Sequence, residues 1–239
     1  MPEWIAVLLI AAGAGVSVPV GAALASAERI RPDWLEAELR HSIIAFGGGA
    51  LLSAVALVLV PNGMEGLPLS ASAGWFVLGG LCFFGLDWWL ARKATSASQL
   101  AAMLADFLPE AMALGAVFAS GSNTAVLLAV LIALQNVPEA FNAYREIEAK
   151  THATSSRILV AFSAIGLLGP AAALAGFFLL VDAQAIVASI MLFASGGILY
   201  LVFQDIAPQA RLERHWAPPL GAVAGFLMGM IGHGIIGGA

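Results

Sequence analysis

Eight apolar stretches run along the 239 residues, at roughly 4–26, 42–61, 73–91, 99–120, 124–144, 158–180, 184–207 and 218–238, with polar residues gathered between them. A helix needs about 20 consecutive apolar residues to cross the hydrocarbon core of a bilayer. The pattern therefore predicts an all-α membrane protein with eight transmembrane helices, spans 1 to 8, in a single transmembrane domain over residues 1–239. The lipid bilayer is its expected surrounding, and no nucleic-acid partner is expected.

Positive charge orders these spans. All ten Lys and Arg lie in or beside alternate loops: Arg29, Arg31 and Arg40; Arg92 and Lys93; Arg145, Lys150 and Arg157; Arg211 and Arg214. The remaining loops and both termini carry none. Cytoplasmic loops of membrane proteins are enriched in Lys and Arg. The expectation is a multi-pass protein of the cell (inner or plasma) membrane, with both termini on the non-cytoplasmic side. The first four residues include Glu3 and no basic residue, unlike a secretory signal, so the first stretch is read as a retained span.

Composition agrees: 61% of residues are hydrophobic and 10% are charged, too apolar a balance for a domain whose solvent is water. The 26 glycines suit close helix–helix approach in lipid. A single cysteine, Cys82, excludes an internal disulfide and a cysteine metal cluster, and is expected as a small apolar core residue. The tryptophans (Trp4, Trp34, Trp75, Trp88, Trp89 and Trp216) fall near span ends, as in an interfacial aromatic belt.

The chain also echoes itself. Phe46-Gly-Gly-Gly49-Ala-Leu-Leu52 of span 2 is similar to Phe193-Ala-Ser-Gly196-Gly-Ile-Leu199 of span 7, and a proline follows each phenylalanine by fifteen residues, Pro61 and Pro208. The two spans run in opposite directions across the membrane. This predicts an inverted repeat of spans 1–3 against 6–8, with spans 4 and 5 between, an arrangement in which transporters place their site at the repeat interface near the midplane.

The chemistry sits in spans 4 and 5. Asp106-Phe-Leu-Pro109-Glu110 and Gln135-Asn136-Val-Pro138-Glu139 each set a Pro-Glu pair within an apolar run. Asp106 and Glu110 are four residues apart, hence on one helical face; Gln135 and Glu139 repeat that spacing, with Asn136 beside them. Each proline removes an amide donor and frees the carbonyl of Ala105 or Leu134. Carboxylates at membrane depth face a cavity, a partner or an ion rather than lipid. Several negative charges held together call for a cation, or for protons in its place.

The motif pair, the eight-span plan and the repeat resemble the ZIP (Zrt-, Irt-like protein) family of divalent-metal transporters. The resemblance rests on Pro109-Glu110 with Ala113-Leu-Gly115, and on Pro138-Glu139. It implies transport of divalent cations toward the cytoplasm through a site between spans 4 and 5. The metal is the substrate, with zinc favoured and iron or manganese as alternatives; no organic cofactor and no enzymatic activity are implied. The implied metal ligands are Asp106, Glu110, Gln135 and Glu139, with Asn136 at a second-metal position. The family often has histidine where Asp106 and Gln135 stand, a polar residue where Phe107 stands, and a Glu-Pro pair where Gly169-Pro170 stands. One metal position with oxygen ligands only is therefore expected, and such hard ligands also suit manganese, iron or magnesium.

Asn142 extends the polar face of span 5, Asp205 matches an acidic exit position of the family or caps the end of span 7 beside Arg211, and Ser53 offers a hydroxyl to the pathway. Asp87 is expected at the interface, snorkelling or paired with Arg92. His233 reads as a hydrogen-bonded core residue, and His41, His152 and His215 as loop-border residues. A homodimer through glycine-rich helices is possible. Two other classes stay open: a proton-coupled small-solute transporter, and an intramembrane hydrolase using the paired acids. The latter lacks both a Gly-x-Gly-Asp and a His-Glu-x-x-His string.

Overall fold

The computed structural model describes residues 2–28, 33–93, 98–119, 121, 124–180, 182–210 and 217–237. Arg29, Arg31, Arg211, Arg214, His215 and Trp216 lie outside the described residues, as do the side chains of Trp34 and Lys93. Among the described residues there are eight membrane-length apolar helices: Glu3–Ala27, Glu38–Glu65, Leu69–Arg92, Leu100–Ala119, Thr124–Lys150, Ser155–Leu179, Gln184–Gln209 and Pro218–Ile235. They correspond in order to spans 1 to 8. The protein is an all-α, multi-pass membrane protein.

Three spans are less regular than hydropathy suggests. Span 6 is two helices, Ser155–Gly166 and Leu168–Leu179, meeting at Leu167. Spans 2 and 7 each contain a π-turn, Val55–Leu59 and Val202–Ile206. Both π-turns begin nine residues after the repeat phenylalanine and end two before the repeat proline. A proline within a helix has no N–H and its ring crowds the carbonyl four residues earlier, and a widened turn relieves both. Spans 4 and 5, by contrast, stay helical through Pro109 and Pro138. One missing donor does not end a helix that neighbours hold on several sides.

The inverted repeat is visible in the packing. Span 2 packs on span 8 as span 7 packs on span 3, and span 1 packs on span 5 as span 6 packs on span 4. The contacts correspond residue by residue. A Cβ on Gly49 would strike the carbonyl of Ala222, and one on Gly196 that of Phe76. Spans 1 and 6 cross at Gly15 and Gly166, where each glycine lets the partner's backbone oxygen in. A Cβ on Gly15 would also lie 3.3 Å from Pro170, and one on Gly166 3.1 Å from Pro19. Two four-helix groups result, spans 1, 4, 5 and 6 and spans 2, 3, 7 and 8, joined chiefly where span 5 meets span 2 and span 4 meets span 7.

Spans 2 and 5 are the most enclosed, whereas spans 3 and 8 bury only 17% of their apolar windows. Two expectations fail for this reason. Cys82 on span 3 and His233 on span 8 are exposed rather than part of the core. Hydropathy could not place them, since lipid is as apolar as the protein interior.

Candidate metal site between spans 4 and 5

Spans 4 and 5 pack directly on one another. Gln135 of span 5 reaches Glu110 of span 4; Asp106 stands one turn before Glu110 and Glu139 one turn after Gln135, with Asn136 next to Gln135 in the chain. Asp106, Glu110, Gln135 and Asn136 are at most 1% exposed. A direct bond crosses the interface: Gln135 Nε2 donates to Glu110 Oε2 at 2.5 Å. The pairs Asp106/Gln135 and Glu110/Glu139 are both 29 residues apart, so the two motifs repeat in the same order on the two packed helices.

What distinguishes the site is its unused bonding capacity. Asp106 Oδ1, Glu110 Oε1, Gln135 Oε1, both polar atoms of the Asn136 amide, and Glu139 Oε2 are all buried without a hydrogen-bond partner. Buried polar groups normally find partners, and each failure costs about 1–3 kcal/mol. Six such atoms on five residues of two packed helices indicate a site built for something that supplies positive charge or donors. Five of the six are oxygens. Turning the Gln135 amide over would exchange its donor nitrogen for Oε1 and present a further oxygen toward Glu110. Among the described residues no three His, Cys, Asp or Glu side chains stand grouped at metal-ligand spacing.

Two departures from the ZIP pattern meet in space. The ring of Phe107 lies against Gly169 of span 6, close enough that a Cβ there would strike it. The aromatic ring fills the volume that a longer side chain at 169 would need. Pro138 is seated against Gly47 of span 2.

The remaining predicted residues are dispersed. Asn142 is half-buried one turn beyond Glu139, toward the Lys/Arg-bearing end. Ser53 is buried in span 2, gives its hydroxyl hydrogen to the Ala50 carbonyl at 2.7 Å and packs under Gly229 of span 8. Asp205 is part-buried in the π-turn of span 7 and shares a small cavity of about 50 Å³ with Asp87. Asp87 accepts a hydrogen bond from Tyr200 Oη at 3.0 Å, and Arg92 stacks on the Trp88 ring at 3.7 Å. The expected Asp87–Arg92 pairing is thus replaced by a bond to span 7. Sequence reasoning also passed over Asn62, Glu65 and Gln184, which line a cavity of about 320 Å³ at the end without Lys or Arg. Nothing in their spacing marks them, because they come from two spans.

No protein-family model matches the chain, and no curated protein matches it.

Proposed function

We propose that the protein transports divalent metal cations, bound in transit between spans 4 and 5 by Glu110 and Glu139 with Asp106 and Gln135, and Asn136 adjoining. The observation that carries this reading is the set of six buried, unpartnered polar atoms, five of them oxygens, on three carboxylates and two amides. A dehydrated divalent cation would satisfy those oxygens and offset the repulsion between the acids. The inverted repeat, with the site between spans 4 and 5, is the architecture of secondary transporters. Resemblance to the ZIP family favours zinc, while the all-oxygen donors also suit manganese or iron. By the distribution of Lys and Arg, movement runs from the side of the termini toward the cytoplasm. A membrane potential negative inside would assist by about 2.3 kcal/mol per charge per 100 mV.

The test is uptake of zinc and manganese into proteoliposomes, with elemental analysis of the purified protein. Glu110→Ala and Glu139→Ala should each abolish uptake while the protein still extracts as a folded species. Normal uptake in both variants would refute the assignment. A second reading, coupled proton and solute transport, draws on the same closely spaced acids, which can hold protons in a cation's place. Uptake that follows the pH gradient and ignores added metal would favour it.

A further inference from the structure

We infer that the cavity bounded by Asn62, Glu65 and Gln184 is the vestibule that captures divalent cations ahead of the buried site, with Glu65 as its capturing carboxylate. This rests on the transport reading above. The cavity, about 320 Å³, lies among the ends of spans 2, 4, 6 and 7. Polar side chains mark its mouth, and Ala116, Val117 and Met191 lie at its base. Glu65 is exposed, whereas Met191 is 2% exposed, which fixes the direction of depth.

Three further observations support the role. The first is the donor set. Asn62 Nδ2 donates to the Val58 carbonyl at 2.7 Å, in the stretch where the π-turn of span 2 meets Pro61. With the nitrogen committed to backbone, Oδ1 is the amide atom left for a ligand. It joins the Glu65 carboxylate and the Gln184 amide, so the mouth offers oxygen to a hard or borderline cation. The second is the field. This end of the molecule carries Glu3, Glu65 and Asp182 and no Lys or Arg. A cleft lined by one sign of charge raises the local concentration of the opposite ion.

The third is alignment and asymmetry. Ala116 and Val117 follow Glu110 by six and seven residues on the same helix, about 9–10.5 Å at 1.5 Å per residue. Leu114 on the same helix is 1% exposed, and Met191 at the base of the cavity is 2% exposed. The repeat places Arg145 and Glu146 of span 5 where span 4 has Ala116 and Val117. Arg145 is bonded to Glu28 at 2.5 Å. One end of the pseudo-symmetric path thus carries a methyl group and a valine where the other carries a guanidinium and an ion pair. The two ends are not interchangeable, and the cation-attracting one is at Glu65.

Initial rates of zinc and manganese uptake into proteoliposomes test this, with Glu65→Gln, Glu65→Lys and the conservative Glu65→Asp. At low ionic strength Glu65→Gln should raise the apparent KM about tenfold, as loss of one nearby charge implies. Glu65→Lys should raise it further, Glu65→Asp should restore most of it, and kcat should stay within about twofold. The differences should shrink near 1 M inert salt, where the screening length is about 3 Å. Because Glu65 is exposed, unfolding temperatures should match the wild type. An unchanged KM in both Gln and Lys variants, or a fall in kcat at constant KM, would overturn the vestibule. If Glu110→Ala abolishes uptake while Glu65 variants behave as wild type, the transport reading stands and the vestibule falls. If the wild type moves neither cation, both fall.

Discussion

Replacing Gln135 with leucine removes the one donor that reaches Glu110 while nearly conserving volume, so the effect is electrostatic rather than a cavity. The bond is 2.5 Å long and both residues are fully buried. A hydrogen bond to a charged group contributes about 1.5–3 kcal/mol, and a chain of this size shifts by roughly 2–4 °C per kcal/mol. Gln135→Leu should therefore lower the unfolding temperature by about 3–12 °C, measured in detergent with a chelator present. Gln135→Glu places a fourth carboxylate in the cluster and should be less stable than wild type under the same conditions. Adding zinc or manganese should then reverse the order of gains. A cation at 100 times its dissociation constant adds about 2.7 kcal/mol, and Gln135→Glu should gain more than the wild type, Gln135→Leu less. Wild-type stability of Gln135→Leu in chelator would show that the bond contributes nothing. A Gln135→Glu protein that gains no more from the ion than the wild type would refute the placement of residue 135 at the cation.

Other outcomes follow from the packing. Gly115 on span 4 meets the Ala173 carbonyl of span 6 without room for a Cβ, whereas Gly74 has nothing within 4 Å. Gly115→Ala should cost at least the roughly 1–3 kcal/mol typical of overpacking and impair uptake by displacing the helix that carries Asp106 and Glu110; Gly74→Ala should leave the unfolding temperature and the uptake unaltered. Arg145→Met breaks a pair whose Glu28 side chain is only 10% exposed. Its cost should fall between the ~1 kcal/mol of an exposed pair and the ~3 kcal/mol of a buried one, and an urea series in mild detergent can measure it. Tyr200→Phe removes the bond to Asp87 and should destabilise by about 1–2 kcal/mol, while Asp87→Asn, which keeps an acceptor oxygen, should cost less; equal losses in the two variants would argue against that bond.

Hydropathy and local spacing were sufficient for the eight spans, because a bilayer demands long apolar helices whatever they pack against. The internal echo of Phe46 and Phe193 was enough to expect the repeat, and helical geometry alone put Asp106 with Glu110 and Gln135 with Glu139. Tertiary structure decided the rest. It set span 4 against span 5 so that Gln135 bonds Glu110 across their contact, and chose Gln135 rather than Asn136 as the donor. It tied Asp87 to Tyr200 instead of Arg92, turned Cys82 and His233 outward, and joined Asn62, Glu65 and Gln184 around one cavity. The physical reason is the same in each case. In lipid the outer surface of a helix is as apolar as its packed face, so hydrophobicity reveals which residues lie in the membrane but not which way they face. Only helix–helix contact, set here by glycines that admit a neighbour's backbone, makes that choice.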